Sequence, residues 1–488
     1  MESLIGFLKF ITPAVPTLAS TALWHSLGRT EQSSKWDLKM ALGVEFLRHL
    51  MSGSGRKPST ISRSQQFTTK DAGIKGKIWV AKATIIAPRS DDEGLRDAVF
   101  KAIDEMKLGE ISYIKPGLED IEVEWTGYRS EARDDEPLPD VSESDKFSRL
   151  MQDKSRTSDT TILYFHGGAY YLCGPESHRL VTSWLARESH GRVCSVRYRL
   201  APQAAFPSQL LDGLLTYLSL LYPPHGSMHE AVPAKNIVFG GDSAGANLSF
   251  ALLQFILQLH RSSDSPTINF HGREVAVPLP AGVTGNSPWL DICRSMPSIE
   301  NNAKFDYLPP PNHDDATSRF PSEEIWPTSP PRGDLFCDLT LLDHPLVSPL
   351  SASDWTGSPP IWMCTGEEML TDEDKSVASL AASQQVTVQY EEYEAMPHCF
   401  AMMAPTLPTA KRLMQSWGDF SRRCVDQPRD VKTSGTYIYA KTGKEEPRAV
   451  ESVSGVSLEQ ARKLMLKAKE QRLMGFEKEG KMMPKPAL

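Results

Sequence analysis

From Thr161 onward, short runs of wholly apolar residues alternate with longer stretches of helical periodicity. Ile162-Leu163-Tyr164-Phe165, Val193-Cys194-Ser195-Val196 and Ile237-Val238-Phe239 are runs of the kind produced by strands covered on both faces. Behind them, Leu180 to Ala186, Leu210 to Leu221 and Leu252 to Leu259 predict helices, and Ala281 to Thr284, Pro360 to Cys364 and Val386 to Tyr390 continue the strand series. Strands alternating with helices predict an α/β protein with a mostly parallel central sheet flanked by helices. There is no internal repeat.

Upstream the pattern is less regular. Met40, Val44, Leu47 and Met51 recur at helical spacing, with Ser34 and Asp37 set as a capping box before them. Ser52 to Arg63 is rich in Gly, Ser and Lys and reads as a connector. Lys77 to Ile86 and Ile121 to Trp125 alternate as strands do, with a helical stretch from Leu95 to Met106 between them. The charged stretch 130–160 reads as a solvated loop. Residues 290–350 break the rhythm, with Pro309-Pro310-Pro311 and Pro330-Pro331. So long an excursion between core strands predicts either a lid over a pocket or a surface insertion. After Arg429 the chain is mixed in charge and reads as a solvated tail, with a capped helix from Ser457-x-x-Gln460 through Leu466 toward Met474.

Composition narrows the class. The chain has 488 residues, room for a large core with insertions. A formal net charge of -8 argues against nucleic acid as a partner, since that footprint is basic. Seven scattered cysteines without CxxC spacing predict neither a zinc site nor a disulfide framework, so a reducing, intracellular compartment is expected, and no metal or other cofactor. The apolar run Leu4-Ile5-Gly6-Phe7-Leu8 is interrupted by Lys9 and followed by Pro13 and Pro16. It lacks a signal-peptide cleavage signature, and no run approaches the roughly 20 apolar residues of a membrane span. Two readings of this segment stay open. It is an amphipathic piece resting on a membrane surface or over a pocket mouth, or it is a poorly ordered start.

The chemistry centres on Gly241-Asp242-Ser243-Ala244-Gly245. The pentapeptide lies where the strand ending at Phe239 turns into the helix containing Leu252. Small residues permit a sharp turn there, presenting the Ser243 hydroxyl at a helix N-terminus that favours developing negative charge. A serine nucleophile needs a general base, and the base needs an orienting group. On such an elbow both come from later in the chain, acid before histidine. Of His260, His271, His313, His344 and His398, the last follows the final core strand directly, and His344, inside the 290–350 excursion, reads as a surface or packing histidine. The loop after the strand at Cys364 supplies five carboxylates, most of them expected to be solvated or to stabilise the first turn of a helix near Thr371. Glu368 comes first after the turn beside Glu367. Asp372 is the alternative acid. His166-Gly167-Gly168-Ala169 follows another core strand, where bare backbone can approach a substrate oxygen.

Together with Tyr198-Arg199-Leu200-Ala201-Pro202 and Phe206-Pro207, these motifs resemble the hormone-sensitive-lipase-like family of α/β hydrolases, over about half the chain. The resemblance implies an α/β-hydrolase fold with an N-terminal helical cap over the pocket, which suits residues 1–75, a core over 76–428 and a tail over 429–488. It implies Ser243 and His398 in a triad, and oxyanion amides at Gly167, Gly168 and Ala244. The family's Asp-Pro-Leu-x-Asp-Glu corresponds to Glu368-Met369-Leu370-Thr371-Asp372-Glu373, with Glu in place of the first Asp, and its third glycine is Ala169 here. Larger eukaryotic members include arylacetamide and steryl-ester deacetylases, some held at membranes such as the endoplasmic reticulum. The expected activity is hydrolysis of a small, apolar carboxylic ester. Two rival classes stay open: an acyltransferase using the same triad, and a binding protein like the gibberellin receptors, which resemble this family but lack the histidine. His398 is present here.

Overall fold

The computed structural model describes residues 12–51, 59–89, 94–310 and 320–478. The apolar run at residues 4–8, most of the connector at residues 52–63 and His313 lie outside the described residues.

Among the described residues ten strands form one sheet: β1 (Ile78–Ile85), β2 (Ile121–Tyr128), β3 (Thr161–Phe165), β4 (Arg192–Val196), β5 (Ile237–Asp242), β8 (Gly282–Asn286), β9 (Ile361–Gly366), β10 (Val388–Tyr393), β11 (Ser434–Ile438) and β12 (Glu445–Arg448). The remaining two, β6 (Thr267–Phe270) and β7 (Arg273–Ala276), make a separate hairpin. The order in the large sheet is β1-β2-β4-β3-β5-β8-β9-β10-β11-β12. β3 to β5 and β8 to β11 run parallel; β2 is antiparallel to β1 and β4, and β12 to β11. Every residue of β3, β5, β8 and β9 is buried, as befits central parallel strands covered by helices on both sides. In this register Phe165 faces Gly241 and Asp242 faces Asn286, so His166-Gly167-Gly168 and Ser243 leave the sheet at one carboxyl edge. Gly366 ends level with Tyr393, which brings the loops carrying Glu368 and His398 to that same edge.

Four expectations need correction. The helix carrying Met40, Val44 and Leu47 runs Leu38–Met51 and is capped by Asp37, whose Oδ1 accepts the Met40 N–H at 2.7 Å. Ser34 instead closes a 3-10 turn, its hydroxyl donating to the Glu31 carbonyl. The 130–160 stretch is not all loop. Ser142 caps a helix at Glu143–Gln152, and its Phe147 and Leu150 are buried, Phe147 edge-on to Trp125. Two apolar residues three apart in a charged segment suffice once a neighbouring strand offers an apolar face.

The 290–350 excursion is no surface insertion: Leu339, Leu341, Leu346, Val347 and Leu350 join the main core. The tail is likewise not a solvated appendage. It adds β11 and β12 to the sheet and returns as the helix Leu458–Lys478, which buries Ala461, Met465, Ala468 and Phe476. Among the described residues no helix is long and apolar enough to cross a membrane. Leu23 and Trp24 stand exposed on the helix Val15–Ser26.

Candidate active site

Ser243 follows β5 with φ 52° and ψ −121°, a conformation costing a non-glycine residue about 1–3 kcal/mol. The surroundings enforce it. Its N–H donates to the Asn286 carbonyl at 3.0 Å, and its own carbonyl accepts from Asn247 and Trp289 at 3.0 and 3.1 Å. The helix Ala244–Ser262 starts immediately, close against the end of β3. A Cβ on Gly245 would lie 2.0 Å from the Phe165 carbonyl oxygen, so only glycine lets the turn sit there.

The His398 side chain is buried, and its Nδ1 lies 2.5 Å from Glu368 Oε2. Glu368 Oε1 accepts from the Thr365 hydroxyl at 3.2 Å and the Gly366 N–H at 3.3 Å, which fixes which oxygen faces the imidazole. Burial works against the charged form of His398, but Cys399 and the Glu368 carboxylate outweigh it and hold the imidazole pKa well above its ordinary value. Cys399 Sγ lies 3.6 Å from His398 Nε2, and burial pushes that thiol up to about 11. No hydrogen bond joins Ser243 Oγ to His398 among the described residues, though both line one cavity of about 570 Å³.

The oxyanion loop follows β3. Among the described residues nothing accepts from the N–H of Gly168 or Ala169, and both line the cavity. Gly168 has φ 111°, and a Cβ on it would meet the Leu172 carbonyl oxygen at 2.4 Å. Gly167 departs from its expected place as an oxyanion donor. Its N–H is taken by Asp242 Oδ1 at 3.1 Å, which leaves no free donor there. Asp242 also accepts from the Tyr164 hydroxyl and faces His178 Nε2 at 3.3 Å. Burial disfavours its charge, but His178 and Tyr164 outweigh burial and keep its pKa below the usual carboxylate range. His166 is driven down to about 3, chiefly by burial, so it is neutral, and its Nδ1 meets the Gly167 carbonyl at 2.8 Å.

The structure thus brings Ser243, His398, Glu368, Gly168 and the start of the Ala244 helix to one place. Asp372 goes elsewhere: its Oδ2 accepts the Ser298 N–H at 2.8 Å in the first turn of the helix Thr371–Ser383. Glu373 and Asp374 are fully buried rather than solvated, and with Asp372 they take the other role expected of them, in the first turn of that helix. Glu373 Oε1 accepts from Leu290 and Asp291 at 2.6 and 3.1 Å. Of the two roles open to His344, surface or packing, it takes the second: it is buried, its Nε2 2.9 Å from the Ile103 carbonyl.

Asp306 has no signal in the sequence. It is buried, with Oδ1 accepting from His398 N at 3.3 Å and from Tyr307 N at 2.7 Å, and Oδ2 accepting from Met369 N at 2.9 Å. One carboxylate therefore ties the acid loop to the histidine loop. Apolar side chains dominate the rest of the cavity wall, including Trp289, Leu335, Phe336 and, from the helix Leu38–Met51, Leu47 and Met51. Arg48 of that helix donates to the Ala303, Lys304 and Asp306 carbonyls and holds it in place. Among the described residues no three His, Cys, Asp or Glu side chains gather as a metal site.

Comparison with known proteins agrees with this fold. A family model described as the alpha/beta hydrolase fold matches residues 162–402. An acetyl-hydrolase of Streptomyces hygroscopicus is 30% identical over 275 residues, 56% of this chain and 79% of that protein. An esterase of Acinetobacter venetianus is 28% identical over 272 residues, 55% of this chain and 77% of its own length. The solved structure of an esterase from the bacterial hormone-sensitive lipase family superposes with a TM-score of 0.50 at 21% identity, covering 80% of this chain and 99% of that one, a likeness of fold. With the strand–elbow–helix and the His-Gly-Gly loop at one sheet edge, the chain belongs to the ester-hydrolase family of the α/β-hydrolase fold that includes this acetyl-hydrolase.

Proposed function

We propose that Ser243, His398 and Glu368 act as one catalytic unit that hydrolyses carboxylic esters of small, largely apolar molecules. The observation that carries this reading is the 2.5 Å carboxylate–imidazole contact, which opens into the same cavity as a serine strained at the start of a helix. Ser243 Oγ attacks the acyl carbon as His398 Nε2 takes its proton, with Nδ1–H held by Glu368. Amides of Gly168, Ala169 and Ala244 receive the tetrahedral oxyanion. His398 returns the proton to the departing alcohol, and water then repeats the sequence on the acyl-enzyme. The serine–imidazole hydrogen bond closes when substrate excludes water. An alcohol acceptor would make the same acyl-enzyme a transferase. The hydrolytic branch is preferred because the named relatives are an acetyl-hydrolase and an esterase. The test is a chain-length series of p-nitrophenyl esters on the wild type and Ser243→Ala; absence of any Ser243-dependent turnover would favour a binding protein instead.

Asp306 is the positioning residue in this reading. Asp306→Asn keeps the shape but turns an amide N–H₂ toward a backbone donor. Leaving a buried donor unpaired costs about 1–3 kcal/mol, so kcat should fall roughly tenfold to a hundredfold with KM little changed. The active base is the neutral imidazole and its pKa is raised, so the acid limb of kcat/KM should have its midpoint above about pH 6.5. Loss of the Asp306 charge should move that midpoint down. A lower melting temperature with kcat and pH profile unchanged would leave Asp306 a merely structural group.

Among the described residues, those up to 75 are assigned to a cap, those of 76–428 to the catalytic core and those of 429–478 to a segment that completes the sheet and the cavity wall. The cap reading rests on Leu47 and Met51 at the cavity. Leu47→Trp should shorten the preferred acyl chain, with kcat/KM for decanoate falling about tenfold relative to acetate. An unchanged chain-length profile would count against the cap.

A further inference from the structure

We propose that the cavity holds a hydroxyl-recognising subsite formed by Arg472 and Asp334, and that the natural ester carries a neutral hydroxyl away from its scissile bond. The inference rests on the reading of this cavity as the ester-hydrolysing site. Arg472 lies on the C-terminal helix Leu458–Lys478 and Asp334 on the irregular segment beneath it, and both line the cavity that contains Ser243 and His398.

The helix is anchored without Arg472. Arg462 donates to the Ser351 carbonyl at 2.6 Å, Lys469 pairs with Asp343 at 2.7 Å and donates to the Thr340 carbonyl at 2.7 Å, and Ala461, Met465, Ala468 and Phe476 are buried. Neither Arg462 nor Lys469 lines the cavity. A guanidinium in a cavity that Trp289, Leu335 and Phe336 also line is poorly placed for anchoring alone, because withdrawing a cation from water is costly unless its donors are satisfied.

Its donors are only partly satisfied. Arg472 Nη2 donates to Asp334 Oδ2 at 2.6 Å, a single contact rather than the two-point pairing the fork allows. Among the described residues its other N–H groups have no acceptor. Asp334 is held rigidly, because its Oδ1 accepts the Phe336 N–H at 2.9 Å. The pair is therefore neutral overall, with spare donors on one member and spare lone pairs on the other. A second carboxylate would be attracted by Arg472 and repelled by Asp334. A hydroxyl accepts from the first and donates to the second, so it satisfies both. A hydrogen bond to a charged partner contributes enough to discriminate by about tenfold.

The experiment compares kcat/KM for p-nitrophenyl alkanoates with their ω-hydroxy counterparts from four to ten carbons, and for acetates of alkanols with those of the matching diols. Mono-p-nitrophenyl esters of the dicarboxylic acids form the anionic arm. In the wild type, at one chain length in either series, the hydroxy ester should exceed the plain ester about tenfold and exceed the carboxylate. That ratio should collapse toward one in Arg472→Leu and in Asp334→Asn, and persist in Arg462→Leu, which loosens the same helix outside the cavity. Should Arg472→Leu fail to fold, Asp334→Asn carries the test. Absence of a hydroxyl advantage at every length, its survival in both pair variants, or a preference for the carboxylate overturns the proposal. Because each comparison is a ratio of Ser243-dependent rates, it can fail while ester hydrolysis stands; absence of turnover on every ester would instead strike the parent reading.

Discussion

Ser243→Ala and His398→Ala each lower kcat by several orders of magnitude, and the double variant is little slower than either single one. The expectation follows from their acting in a single proton transfer. Without the imidazole the hydroxyl stays protonated and is a weak nucleophile; without the hydroxyl the imidazole has nothing to activate. Residual turnover above the uncatalysed rate should survive in all three, because the amides of Gly168 and Ala169 still line the cavity and still stabilise an oxyanion formed by attacking water. A fluorophosphonate should label the wild type stoichiometrically at Ser243 alone. Kinetics on the three variants with mass mapping of the label check the assignment. Strictly additive losses, or a label on another residue, would overturn it.

Glu368→Gln lowers kcat by roughly 10³-fold or more with near-normal folding, judging from the about 10⁴-fold loss for the equivalent acid-to-amide change in a serine protease. Glu368 Oε1 is fixed by Thr365 and Gly366, which both donate to it, so the amide oxygen takes that position. The amide nitrogen then faces Nδ1 of His398 and must donate to it. The imidazole responds by carrying its proton on Nε2, where it can no longer accept from Ser243. Asp372→Asn behaves differently. Its partner is the backbone N–H of Ser298 in a helix first turn, so the loss appears as about 1 kcal/mol of stability and leaves the rate nearly intact. Kinetics and thermal melts on both variants separate the two carboxylates. A catalytic collapse in Asp372→Asn with Glu368→Gln still active would reverse their roles.

The legible parts of this chain are those where one local pattern has one structural meaning. The apolar run at 237–239 and the small residues after it are a buried strand and its elbow, because no other arrangement satisfies both the run and the glycines. Glu368 and His398 are readable because each follows a core strand, and parallel strands deliver their following loops to one edge. Asp306 is invisible for the opposite reason. It sits in an irregular excursion, and its partners are the backbone N–H groups of Tyr307, Met369 and His398, which any residue types at those positions would supply. Gly167 is misjudged from spacing because spacing shows a bare backbone but not whether its N–H is already taken, here by Asp242. The tail reads as solvated because its strands are short and half exposed, and β12 shows no buried residue at all. Its place in the sheet comes from pairing with β10, a contact between distant parts of the chain that carries no local signature.

The late strands β11 and β12 and the C-terminal helix also set an order in time. Ser243, Glu368 and His398 all emerge from the ribosome before residue 434, and domains condense as their chain becomes available. Yet the Glu394 N–H, just upstream of His398, is bonded to the Ile438 carbonyl, and the cavity takes part of its wall from Arg472. A nascent chain therefore carries every group of the proposed triad while its histidine loop, already tied to Asp306, lacks this further brace and its cavity lacks part of one side. The last of the described residues add the final brace of the histidine loop and the final part of the cavity wall, after the strands that carry Ser243, Glu368 and His398 have been made.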